Sequence, residues 1–110
     1  MITLDLPIST NYLYRRTRYT VVLTNDAMAY KQYAQIISKR QWDNEPLEGE
    51  VSVTCRFYNA RQDIDNMCKL LLDSMNGIVW VDDKFIVELH LYKIKDDNGK
   101  RVEIEACAVK

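Results

Sequence analysis

Val51, Val53, Cys55 and Phe57 alternate with Ser52, Thr54 and Arg56. An apolar period of two fits a strand with one buried face and does not fit a helix. Immediately downstream the period changes. Ile64, Cys68, Leu71, Leu72 and Met75 fall at helical spacing, and Gly77 follows as a C-terminal stop, which predicts a helix over about Asp65 to Asn76. A half-buried strand running into an amphipathic helix must bury both apolar surfaces against each other, so the chain is committed to helices layered on a sheet.

The remaining segments fit that frame. Ile2, Leu4 and Leu6 alternate with Thr3 and Asp5 and predict a short strand that ends at Pro7. Residues 8–20 are polar and irregular and read as a loop, closing into a short strand at Thr20–Leu23. From Thr24 or Asn25, both good N-caps, a helix is expected to about Gln41, with Ala27, Tyr30, Ala34 and Ile37 as its apolar stripe. After the polar connection 43–49 and the strand–helix pair, the last third reads as a β-hairpin. Val87, Leu89 and Leu91 form one face, Asp96-Asp97-Asn98-Gly99 the turn, and Val102, Ile104, Ala106 and Ala108 the return. No internal repeat or linker divides the chain. The expectation is one α+β domain over residues 1–110, a mixed sheet of four or five strands with two helices packed on one face.

Composition removes several functions. Three widely spaced cysteines with no C-x-x-C exclude a disulfide framework and a cysteine-rich zinc site, and one histidine, His90, excludes a multi-histidine centre. All three cysteines are expected to face inward as small core residues. No apolar run approaches the roughly 20 residues of a membrane span, and the opening residues lack a signal-peptide pattern. A reduced, cytoplasmic protein is expected. The net charge of −1 gives no general attraction to nucleic acid, but its distribution is uneven. Residues 11–41 carry six basic side chains against one acidic, whereas residues 62–110 carry seven basic and ten acidic. A basic N-terminal part can grip a polyanion while the rest of the surface does not.

The chemistry is concentrated in Asp63-Ile64-Asp65-Asn66-Met67-Cys68-Lys69, with Asp73 behind it and Asp82-Asp83 following the apolar run Ile78–Val81. Taken singly each piece has an ordinary explanation. Asp-x-Asp before a helix is a cap with a solvated charge, Asp65–Lys69 is an i, i+4 pair of about 0.2–0.5 kcal/mol, and Asp82-Asp83 is a turn. A calcium loop fails because Met67 falls at a ligand position. Together they gain meaning: Asp65, Lys69 and Asp73 share one helical stripe. Grouped carboxylates with a lysine among them suit a hard divalent cation that activates water beside a phosphate.

This D-x-D-N-x-x-K pattern followed by D-D resembles the RusA family of Holliday-junction resolvases. Leu6-Pro7-x-x-x-Asn11 and the Tyr/Arg cluster behind it extend the resemblance to the front of the chain. The resemblance implies a small endodeoxyribonuclease, often phage- or prophage-encoded, that cuts four-way or other branched DNA in recombination and repair. It implies that Asp63, Asp65 and Asp83 are the catalytic, metal-binding aspartates, with Asp82 a candidate further ligand, and that Lys69 is the catalytic lysine. It also implies Mg²⁺ as cofactor, with Mn²⁺ as a substitute, and a homodimer cutting two opposed strands. Asn11, Tyr14, Arg15, Arg16, Arg18 and Arg61 are the candidate DNA contacts, combining stacking rings with phosphate-binding cations. Two other readings stay open: a DNA-binding module of the same fold without cleavage, and a small interaction domain whose carboxylates only solvate it. Trp80 is expected either beneath the acidic residues or at a dimer interface.

Overall fold

In the computed structural model, which describes residues 1–7, 14–16, 21–23 and 25–109, the central element is the alternating strand. Numbered in chain order, β1 is Ile2–Leu4, β2 Tyr14–Arg16, β3 Val21–Leu23, α1 Asn25–Gln41, β4 Val51–Tyr58, α2 Ile64–Ser74, β5 Ile86–Ile94 and β6 Arg101–Ala108, with a 3₁₀ turn at Asp83–Phe85 ahead of β5. The main sheet has the order β1-β6-β4-β5, and β2 and β3 form a separate antiparallel pair. β4 runs parallel to β5 and antiparallel to β6, and β6 antiparallel to β1. This is the α+β, mixed four-stranded sheet with two helices that the patterning implies.

One face of the sheet is buried. Val51, Val53, Cys55 and Phe57 of β4 stand beside Ala106, Ile104 and Val102 of β6, which in turn stand beside Ile2 and Leu4 of β1. Both helices pack there, and Ala27, Tyr30 and Ala34 of α1 meet a broader apolar surface on α2 than the stripe suggested. Met67 and Leu70 are buried as fully as Cys68, Leu71 and Met75 because α2 packs against α1 as well as against the sheet. The opposite face presents Ser52, Thr54, Arg56, Glu103 and Glu105.

Three expectations need correction. β5 and β6 are not a hairpin, because β4 lies between them. Periodicity gives each strand its buried face but not its neighbour, and β4, with a fully apolar inner side, takes the centre and pairs on both edges. α2 supplies the crossover that a parallel β4–β5 pair requires. The link from β5 to β6 then passes the end of β4, where Asn59 holds it. Asn59 has φ +61°, and its Nδ2 donates to Asp96 Oδ1 (3.1 Å) and to the Gly99 carbonyl (2.9 Å), while its Oδ1 accepts from Asp96 N (3.0 Å). Arg101 grips both oxygens of Asp96 and lies 3.8 Å over the Tyr58 ring, and that hydrogen bonding holds the Asp96 carboxyl down at about 2.

Second, Tyr14–Arg16 is a strand rather than loop, paired with Val21–Leu23. Third, Cys107 is exposed while Cys55 and Cys68 are buried, since Cys107 has the opposite parity to Val102, Ile104 and Ala106. The two ends of the sheet also differ. The outer edge of β1 is satisfied by α1: Gln41 Oε1 accepts from Thr3 N (2.7 Å), Gln41 Nε2 donates to the Thr3 carbonyl (3.1 Å), and Tyr30 and Tyr33 bond the backbone of Asp5. β5, by contrast, has β4 as its one neighbour among the described residues, and its Val87 and Leu89 are exposed.

Candidate active site

α2 begins where the chain leaves β4 through Asn59, Ala60 and Arg61, so Asp63 and Asp65 stand at the helix entrance, near the positive end of its dipole. Asp63 occupies the N-cap position with extended backbone angles, yet its carboxylate makes no capping hydrogen bond. The usual structural role of an aspartate there is not taken up. Asp65 is exposed, and its charge acts on the next turn. Burial first, and Asp65 second, push the Cys68 thiol up to about 11. Lys69, also exposed, lies one turn further on. Between Arg61 and Asp63, the Gln62 Oε1 is buried without a hydrogen-bond partner, an acceptor whose desolvation is uncompensated.

The second acidic element is held in place by Trp80. Its side chain is fully buried, so it belongs to the core of the single chain and not to a surface between copies. Its Nε1 donates to Asn76 Oδ1 (2.8 Å), Gly77 N donates to its carbonyl (2.7 Å), and Leu47 bonds on either side through Val79 O (2.8 Å) and Val81 N (3.2 Å). Gly77, at φ +78°, makes the reversal that lets residues 78–81 return along the end of α2. The Asp82–Asp83 turn therefore emerges from a rigid base. Asp82 caps it: Oδ1 accepts from Lys84 N (3.1 Å), which lowers its pKa.

Asp83 behaves differently. It is half-buried and shares hydrogen bonds with the carboxyl groups of Asp73 and Asp82. Desolvation, then Asp73, then Asp82 push its pKa up to about 6. Asp73, on the stripe of Asp65 and Lys69, is thus the acidic residue of α2 that meets the D-D turn. The i, i+8 spacing from Asp65 carried that signal, but nothing in the sequence said which turn of the helix the D-D segment would reach. Among the described residues no three His, Cys, Asp or Glu side chains converge to hold one metal ion. Asp63 and Asp65, at the entrance of α2, thus do not form a three-ligand cluster with the Asp73–Asp83 pair. Of the candidate DNA contacts, Arg61 is exposed beside this entrance, and the backbone of Tyr14, Arg15 and Arg16 forms β2. Asn11 and Arg18 lie outside the described residues.

A family model described as endodeoxyribonuclease RusA matches residues 5–106 of the 110. The chain belongs to the RusA family. No curated protein matches it. RusA membership makes the protein an endodeoxyribonuclease, a hydrolase acting on DNA. The family is of the Holliday-junction resolvase type, acts on branched DNA in recombination, and belongs to a class of nuclease that generally uses a divalent metal. The RusA match covers β4, β5, most of β6 and both helices, so the entrance of α2 and the D-D turn both lie within it. No helix among the described residues is long and apolar enough to cross a membrane.

Proposed function

We propose that the protein is a Mg²⁺-dependent, structure-selective endodeoxyribonuclease that resolves Holliday junctions by paired, symmetric cuts and works as a homodimer in the cytoplasm. The observation that carries this reading is the approach of Asp83 to Asp73 and Asp82: burial first, and these neighbouring carboxyl groups second, disfavour its charge, which a cation would compensate. The donor chemistry fits a hard divalent ion. Asp63, Asp65 and Asp83, with Asp82, are the residues of the family pattern that would hold it, and they would have to draw together to do so, since no three of them converge among the described residues. Asp63 has no competing capping bond, and Gln62 next to it has an orphaned amide oxygen. Mn²⁺, with the same preference for oxygen donors, would substitute. When bound, such an ion lowers the pKa of water and neutralises charge on a phosphate.

The chain's own groups do the rest. Lys69, one turn from Asp65, offers a cation to the scissile phosphate. Arg61 and the β2 segment containing Tyr14, Arg15 and Arg16, together with Asn11 and Arg18, bind the flanking strands. Asp83 must lose its proton before it can act as a ligand, so activity should rise with pH through about 6. Two copies are required because a four-way junction has two-fold symmetry and each chain carries one D-x-D…D-D set.

The test is incubation of the purified protein with a labelled four-way junction and a matched duplex, with and without Mg²⁺. Metal-dependent paired nicks confined to the junction support the reading. Binding without nicks at any divalent ion concentration refutes it.

A further inference from the structure

At the carboxyl ends of the parallel strands β4 and β5 lies a cavity of about 380 Å³, lined by Asn59, Ala60, Arg61, Lys93, Ile94 and Lys95. None of the readings above uses Lys93 or Lys95. The register pairs Phe57 with Lys93 and Tyr58 with Ile94, so Lys93 has the parity of Phe57's face of the sheet, and Lys95, just past the end of β5, lines the same cavity. Arg61 enters from the segment that leads into α2 two residues before Asp63. Three cations therefore surround one concavity beside the helix entrance.

Two features make it more than a scatter of surface lysines. The walls are fixed relative to each other: Asn59 N donates to the Ile94 carbonyl (2.7 Å), and the Asn59 side chain bonds Asp96 and Gly99 across the gap. The nearest acid on the connector is also taken, because both Asp96 oxygens are held by Arg101. Among the described residues no ion pair engages Arg61, Lys93 or Lys95, and the other acid of this connector, Asp97, is exposed. Ligands of parallel strand pairs gather at the carboxyl ends of the strands, and a preorganised concave cationic site matches a phosphodiester.

We propose that Lys93 and Lys95, with Arg61, form a phosphate-binding subsite that seats the DNA backbone beside the entrance of α2. This rests on the nuclease reading above and adds to it the residues that fix the strand. Each neutralised phosphate contributes about 0.9 to the salt slope of binding. Losing two should flatten the slope by about 2 and weaken junction binding roughly tenfold to thirtyfold at 0.15 M salt.

The experiment measures junction affinity across a salt series, and cleavage at saturating protein, for the wild type, Lys93→Gln/Lys95→Gln and a control pair of equal charge, Lys39→Gln/Lys100→Gln. All four lysines are exposed, so the fold should survive. The expected result is weaker binding and a flatter slope for the first pair alone. A first pair with parental affinity and slope, or a control pair that loses as much, overturns the subsite while leaving the nuclease reading intact. The expected binding pattern without cleavage by any variant or wild type supports the subsite and refutes the nuclease. A wild type that binds no DNA overturns both.

Discussion

Asp73→Asn should stabilise the metal-free protein at pH 8 and leave its stability unchanged near pH 4. Asp83 titrates at about 6 in the fold against an ordinary value of 3.8. Between those limits the folded chain keeps a proton that the unfolded chain has released, so stability falls as pH rises, and the full penalty is present above about pH 6. Two pKa units correspond to about 3 kcal/mol, but Asp83 is only half-buried, solvent screens the pair, and desolvation, the largest cause, survives the substitution. About 1 kcal/mol remains for the charge on Asp73, or roughly 4 °C in Tm for a domain of this size. The amide of the variant can still donate to the Asp83 carboxylate. Thermal unfolding in chelator at pH 8 and pH 4 measures the difference, and carbon-detected NMR titration should show the Asp83 midpoint moving from about 6 toward 4. An equal gain at both pH values, or none at pH 8, would refute the repulsion between Asp73 and Asp83.

Lys69→Ala should keep junction binding within a few fold while turnover falls by orders of magnitude, read by single-turnover cleavage at saturating protein. Asn59→Ala should lower stability by about 2–3 kcal/mol, from the left-handed backbone and the lost hydrogen bonds together. Asn59→Gly should recover the backbone part in chemical denaturation. Replacing Arg15, Arg16 and Arg18 by alanine should weaken junction binding and flatten its salt dependence, measured by titration at several salt concentrations; unchanged affinity at moderate salt would remove the basic segment from the interface.

The elements were legible wherever one side chain period ran unbroken. β4 reads directly from Val51 to Phe57, and α1 from Ala27 to Ile37, because burial on a single face leaves a period in the sequence. Adjacency was not legible. Leu89 and Leu91 have the parity of the core face, standing beside Val53 and Cys55, yet Leu89 is exposed on the edge strand β5 while Leu91 packs against the core. A turn-forming Asp-Asp-Asn-Gly suggested a hairpin, whereas the same residues serve a link anchored by Asn59 and Arg101 across the end of β4. The motif singled out Asp63, Asp65, Lys69 and Asp83 as candidates, but the partner of Asp83 depended on how residues 76–81 fold back around Trp80. That is a tertiary fact with no local signature. Lys93 and Lys95 escaped for the same reason: alone on a strand they are edge charges, and only the parallel pairing brings them to Arg61.

The most direct test of the account is binding and cleavage of a four-way junction measured on the same preparations of wild type, Asp63→Asn and Asp83→Asn. Each substitution keeps side-chain volume and removes one charge from the acidic group. Mg²⁺-dependent cleavage should fall by orders of magnitude in both variants, while the fold holds and junction binding persists or tightens, since a charge facing the phosphates is gone. Variants that cut at the parental rate, or that unfold, would show that these aspartates are helix-end and turn residues and would contradict the proposed site.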